Sequence, residues 1–243
     1  MVLVIDVGNS FVKTAVYNDS SQINFQILDG STVFDELETL LQQFAKINTV
    51  VIASVRTLDF VDFKAKHPEV LFYMISIQSK FPFQNLYATP ATLGIDRMVL
   101  AAGAVFQFPK KNRLIIDAGT CVTYDFVDEN DNYLGGAISP GIRLRYEALS
   151  RYTSKLPLLQ KEIPKKIIGD RTNQAIHSGV VNGIGFEIEG FILNFKIDFK
   201  NFIIILTGGD ADFLAKRLKN PIFANSNFLV ESLNQLFQYN SND

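Results

Sequence analysis

The residues able to do chemistry fall in short runs punctuated by glycine. Asp6-Val7-Gly8-Asn9-Ser10 ends an apolar stretch, and Lys13 lies seven residues after Asp6. A carboxylate at a strand end, joined by phosphate oxygens, is the ligand set Mg²⁺ prefers. A glycine beside it lets the turn take φ > 0 and lets backbone N–H groups approach an anion closely. Lys13 could reach a phosphate as a point charge. One such run is explained equally well by an ordinary hairpin whose Asp and Asn serve only the turn. A second copy, Asp117-Ala118-Gly119-Thr120, shifts the balance, and Thr123 and Asp125 continue it. Its Thr120 hydroxyl could donate to a phosphate and Asp117 could hold a cation, so the pair favours a clamp for nucleotide phosphates. Thr207-Gly208-Gly209-Asp210 then places glycines between an apolar run and a helix start. Backbone donors and the helix dipole there favour an anion or a nucleoside. No G-x-x-x-x-G-K-[ST] run occurs, so the clamp is not a P-loop.

Gly94-Ile95-Asp96-Arg97 is the fourth run, at the expected start of a helix. Asp96 could take a proton from an attacking hydroxyl while Arg97 holds an anionic group. The plainer alternative is an Asp stabilised by the helix dipole, with Arg97 in solvent.

The elements that must position these runs follow from the apolar pattern. Strands are expected over residues 2–7, 11–17 and 23–28, a helix over 33–47, a strand over 50–55, a helix over 59–66 and a strand over 70–75. Residues 76–93, with Pro82, Asn85 and Pro90, read as a long ordered loop. A helix is expected over 94–106. The pattern then restarts with strands over 113–116, 121–127 and 133–139. Residues 169–194 suggest one long helix or a helix broken by loops, because Gly179, Gly183, Gly185 and Gly190 weaken it. Close helix packing, between subunits for instance, would explain those glycines. A strand over 202–206 and two helices close the chain. Strands and helices mix in both halves, so the class is α/β, with a duplicated domain, boundaries at 1–109 and 110–243, and a cleft between the halves.

Composition narrows the function. The chain has 243 residues, 47% hydrophobic and 20% charged, which reads as globular. The 21 Phe residues read as core filling. A net charge of −2 without a basic block argues against nucleic acid as a partner. The single cysteine, Cys121, excludes an internal disulfide and a multi-cysteine zinc site, and His67 and His177 are too few for most transition-metal sites. Neither a signal peptide nor a membrane span is evident, so a cytoplasmic location is expected.

Five stretches together resemble the type III pantothenate kinase family, within the actin/hexokinase/Hsp70 superfamily. They are residues 6–13, Gly94-Ile95-Asp96-Arg97, residues 117–125, Gly135-Gly136-Ala137-Ile138-Ser139-Pro140-Gly141, and Thr207-Gly208-Gly209. Asp-x-Gly-x marks only the superfamily, whereas the second and fourth stretches, in this order, are far more specific. The resemblance implies two ribonuclease H-like domains of the actin-like ATPase fold. It implies ATP, carried with Mg²⁺, along Asp6, Val7, Gly8, Asn9, Ser10, Phe11, Val12 and Lys13, and touching Thr120. Pantothenate would be gripped by Gly94, Ile95, Asp96 and Arg97, with Asp96 as proton acceptor for its primary hydroxyl. Tyr87 matches a tyrosine lining the substrate pocket. Asp117 matches the ligand of a monovalent cation, K⁺ or NH₄⁺. Thr172 matches a threonine that reaches pantothenate across the interface of a homodimer. Cys121 stands where the family pattern has a small residue such as Ala. Another kinase or sugar-phosphate enzyme of the superfamily, or a non-catalytic regulator of transcription, stays open as an alternative; the intact Asp6, Asp96 and Asp117 argue against a degenerate fold.

Overall fold

The computed structural model describes residues 1–241. It divides into two compact units, Met1–Pro109 with Asp131–Tyr133 and Asn227–Asp243, and Lys110–Asn130 with Leu134–Ser226. The first unit gives way to the second after Pro109. The closing helix, however, which the sequence reading placed in the C-terminal half, returns to the first unit.

The first unit is built on β1 (Val2–Val7), β2 (Val12–Asn18), β3 (Ser21–Leu28), β4 (Thr49–Ser54) and β5 (Leu71–Met74), in the order β3-β2-β1-β4-β5. Every residue of β1 is buried because the strand is central. It pairs antiparallel with β2 and parallel with β4, so it reads as a continuous apolar run. Helix α1 (Val33–Gln43) buries Val33, Leu37 and Leu40, one stripe at helical spacing. It stops short of the expected residue 47, since Phe44 leaves helical geometry and the chain must turn to enter β4. Helix α2 (Val61–Lys66) adds Phe63 to the same core. The long loop proves to contain a two-residue strand, β6 (Gln84–Asn85), and a single 3-10 turn at Pro90–Thr92. Helix α3 (Ile95–Gln107) follows.

The second unit repeats the plan. Strands β7 (Asn112–Ala118), β8 (Cys121–Val127), β9 (Asn132–Pro140), β10 (Phe202–Thr207) and β11 (Phe223–Ala224) run in the order β9-β8-β7-β10-β11, with β6 pairing to the first two residues of β9. Pairings match too: β7 is antiparallel to β8 and parallel to β10, as β1 is to β2 and β4. The duplication is thus one of topology as well as of sequence, although the first hairpin turns between Val7 and Val12 and the second, one residue tighter, between Ala118 and Val122.

Helix α4 (Ile142–Arg151) was not anticipated, although Ile142, Tyr146 and Leu149 have helical spacing and pack on one core. Next come α5 (Thr172–His177), a π-helical turn at Ser178–Asn182 and α6 (Gly183–Asp198). These form one rod, since Ser178 and Gly183 both keep right-handed helical angles. It begins at Thr172 and not at Gly169, because Gly169 packs beneath it. A Cβ on Gly169 would lie 2.3 Å from the Ala175 nitrogen. Phe195 and Phe199 stack on Phe126 of β8 at 5.2 and 4.1 Å, and Phe191 stacks on Tyr124 at 4.0 Å. Here the abundant Phe does fill core, each ring contributing up to about 3 kcal/mol by burial. Helix α7 (Ala211–Ala215) follows β10, and α8 (Phe228–Ser241) closes the described chain. Helix α8 lies against α3 in the first unit, so tightly that a Cβ on Gly103 would come within 1.8 Å of the Ser232 hydroxyl. Among the described residues no helix is long and apolar enough to cross a membrane.

Candidate active site

Asp6, the last but one residue of β1, is 5% exposed, and its register partner across the hairpin is Lys13. Register partners point to one face of a sheet with Cβ atoms about 5 Å apart. The acid and the cation of the first loop are therefore held side by side by strand pairing. Between them, Gly8 N–H donates to the Phe11 carbonyl at 3.0 Å, while Asn9 and Phe11 are exposed and Val7 and Val12 are buried. The structure corrects the reason for Gly8. Only Gly135 and Gly208 among the described glycines have positive φ. Gly8 is needed because a Cβ there would crowd the Phe11 carbonyl at 3.1 Å, and not for a left-handed turn.

In the second unit Asp117 has the corresponding position, and its register partners are Thr123 on β8 and Thr207 on β10. Lysine in the first copy is replaced by threonine in the second. The Thr123 hydroxyl is buried and has no hydrogen-bond partner. An orphaned buried hydroxyl costs about 1–3 kcal/mol. Its oxygen beside a carboxylate is a donor pair suited to a hard cation.

Two other stretches press on the same loop. Gly208, at φ +94°, sits where a Cβ would be 2.4 Å from both the Ala118 carbonyl and the Asp117 carboxylate. The next backbone contact is Asp210 N–H to the Ala118 carbonyl at 2.9 Å. From the other side, Gly141 donates its N–H to the Thr120 carbonyl at 3.0 Å, and a Cβ there would meet the Gly119 carbonyl at 2.2 Å. Gly136, in β9, packs against β8, its missing Cβ only 1.5 Å from the Tyr124 carbonyl. Gly141 and Gly208 thus let three backbones meet around residues 117–120, while Gly209 meets nothing there. Asp210 is also tied by its carboxylate to Lys161. Cys121 is half-buried here, its carbonyl accepting from Gly119 N–H at 2.9 Å.

Gly94 caps α3, and Asp96 turns its carboxylate back to accept the Arg97 N–H at 2.9 Å. A Cβ on Gly94 would strike that carboxylate at 2.4 Å, which explains the glycine. Ile95 is buried. The plain helix-start reading leaves Arg97 in solvent, yet it is 6% exposed, with its guanidinium 5.8 Å from the centre of the Tyr87 ring. Tyr87 leans in turn on Tyr133 at 6.2 Å. Cation and ring are worth about 0.5–2 kcal/mol together, more as water is excluded. Thr172 is exposed and lines a cavity of 630 Å³ in the second unit, with Lys165, Lys166 and Arg171.

Sequence reasoning missed a half-buried network behind Gly141. Glu187 of α6 accepts from Tyr124 at 2.8 Å, from Ser139, and from Arg145 at 2.6 Å. Burial alone would raise the Glu187 carboxyl, but the bonds from Arg145, Ser139 and Tyr124 outweigh it and hold it below the usual carboxylate range. Burial first, and the Glu187 bond next, push the Tyr124 phenol far above its ordinary value. Its partners lie far apart in sequence, and their spacing carries no signal.

The family model for type III pantothenate kinase matches residues 2–194. A type III pantothenate kinase of Flavobacterium psychrophilum is 61% identical, over 98% of this chain and 99% of that one. Among solved structures, a Campylobacter jejuni protein described as a Baf family transcriptional activator aligns with TM-score 0.64 at 21% identity, covering 99% and 100% of the two chains. A Listeria monocytogenes protein described as an N-acetylmannosamine kinase aligns with TM-score 0.58 at 12% identity, covering 99% of each. Those two likenesses carry fold alone, and with the repeated sheets they mark the two-domain α/β fold of such kinases. The chain belongs to the type III pantothenate kinase family.

Proposed function

We propose that the chain transfers the γ-phosphoryl group of ATP to the primary hydroxyl of pantothenate, giving 4′-phosphopantothenate at the entry to coenzyme A synthesis, in the cytoplasm. The observation that carries this reading is the match to the family, by its model over residues 2–194 and by a relative over 98% of the chain. Asp96 lies at the start of α3 with one carboxylate oxygen anchored by the Arg97 N–H, which leaves the other to accept the hydroxyl proton. Arg97, packed against Tyr87, presents a fixed cation to the substrate carboxylate. Gly94 keeps Asp96 in its bent-back pose.

Residues 6–13 take the nucleotide: the Gly8–Phe11 loop offers N–H groups, and Lys13 takes phosphate charge beside Asp6. Asp6 fits Mg²⁺ carried by the phosphates, since its carboxylate stands at the strand end in register with Lys13, where phosphate oxygens would gather. Held beside Asp6, Mg²⁺ would offset the negative charge that develops in transfer. Asp117 with the orphaned Thr123 hydroxyl fits K⁺ or NH₄⁺, and Thr120 donates to a phosphate.

Two copies associate in this reading. Helix α6 carries Gly183, Phe186, Gly190, Leu193 and Ile197 at alternating steps of three and four. Phe186, Leu193 and Ile197 are 65, 65 and 74% exposed, and a Cβ on Gly183 or Gly190 would meet nothing. An exposed apolar seam at heptad spacing, with small residues between, suits a second helix. Thr172, at the start of the same rod, would then serve the partner's pantothenate.

The test is ADP release by purified protein with pantothenate, with and without K⁺. Asp96→Asn should lose about 10²–10⁴-fold in turnover while still binding ATP. Full turnover by that variant removes Asp96 from its role, and no ADP release from the unaltered protein removes the function.

A further inference from the structure

Behind the cation and phosphate loop stands a pair of side chains that touches none of the proposed ligand-binding residues. Arg145 of α4 donates Nε–H to the Pro140 carbonyl at 2.8 Å. Its Nη2 donates to Glu187 Oε2 at 2.6 Å and to the Ser139 hydroxyl at 3.3 Å. Glu187 Oε1 accepts from Tyr124 and Ser139, so both carboxylate oxygens are used. The strand end Ser139–Pro140 is therefore gripped from below by one guanidinium, which is fixed by one carboxylate. The next residue, Gly141, is the one whose N–H holds the Thr120 carbonyl and whose missing side chain leaves room for the Gly119 carbonyl.

We infer that Arg145 and Glu187 are positioning residues for the Gly119–Thr120 loop, fixing Gly141 and so the register of Thr120 and Asp117 toward phosphate and cation. The inference rests on the function proposed above for that loop. A planar guanidinium that spans a carbonyl and a carboxylate defines direction as well as charge, which lysine cannot do. The pair is only 20 and 25% exposed at the side chains, so solvent screens it weakly. Partners of this kind set the geometry of groups that themselves touch a ligand, and their loss typically costs about 10–100-fold in affinity or rate. Tyr124 and Ser139 complete the satisfaction of Glu187, so removing either alone leaves the Arg145–Pro140 bond standing.

Calorimetric binding of Mg-ATP, without pantothenate, at a series of K⁺ concentrations tests this separately from turnover. Arg145→Lys and Glu187→Gln should each weaken Mg-ATP binding about tenfold or more and raise the K⁺ concentration for half-maximal binding. The double variant should be no worse than the weaker single, because the two act as one unit. KM for pantothenate should stay within about twofold, and Tyr124→Phe should bind Mg-ATP nearly as well as the unaltered protein. Variants that lose thermal stability yet keep Mg-ATP affinity and K⁺ dependence overturn the inference, as does an equal shift in pantothenate KM. Unaltered protein that fails to bind Mg-ATP overturns the proposed function instead.

Discussion

Lys13 lies in direct register with Asp6 across the antiparallel pair β1–β2, and Thr123 holds the same station opposite Asp117 across β7–β8. One duplicated hairpin thus carries a charged partner in its first copy and a hydroxyl in its second. Opposite charges in register support each other, while a hydroxyl beside a carboxylate leaves oxygen donors for a cation.

The two stations should separate in titration. Lys13→Met should raise KM for ATP by about 10–100-fold, the loss of one bond to a charged group. Thr123→Val should mainly raise the K⁺ concentration needed for activity. Initial rates over ATP and K⁺ gradients check both. Equal effects of the two variants on both gradients would contradict the division.

The glycines of the Thr207–Asp210 loop are not equivalent. Gly208→Ala puts a methyl 2.4 Å from the Ala118 carbonyl and the Asp117 carboxylate at a positive φ, whereas Gly209→Ala meets nothing. The first should cost about 2 kcal/mol or more of stability and disturb Asp117, the second under about 1 kcal/mol. Urea unfolding of both variants is the measurement.

Glu187 gives the acid side of the stability curve a sign. Its carboxyl is held below the ordinary value of 4.5 in the fold, so its contribution is complete above that value and fades as pH falls through the lowered one. Glu187→Gln should be less stable at neutral pH and should lose less on acidification below 4.5. Urea midpoints measured against pH distinguish this from a plain packing defect, which would shift the whole curve evenly.

The seam on α6 predicts an assembly change. Phe186→Asp with Leu193→Asp should bring the solution mass to that of one 27.2 kDa chain without unfolding it, since both side chains are exposed. Light scattering after gel filtration reads the mass. A double variant that keeps the mass of the unaltered protein would rule out the seam as the contact.

Much of the fold is written locally. Residues 2–7 and 202–207 are apolar runs that only a central strand can accept, and the two Asp-x-Gly-x turns announce a duplicated hairpin. Nearest-neighbour sterics and hydrophobic burial decide such elements, so reading along the chain reaches them, together with Asp96–Arg97 at a helix start. The extent of α1 and the existence of α4 were harder, because where a helix stops depends on where the next strand must begin.

What the chain could not disclose on its own are the relations between distant segments. Gly8 and Gly208 look alike in sequence, but one spares a carbonyl within its own turn and the other makes room for Asp117, some ninety residues earlier. The return of α8 to the first unit, the burial of Arg97 against Tyr87, and the convergence of Tyr124, Ser139, Arg145 and Glu187 are likewise products of packing. A residue's type and neighbours set its local geometry and the reactions open to it. Which atoms it meets is decided by close packing and polar satisfaction across the whole fold, and those forces have no sequence spacing.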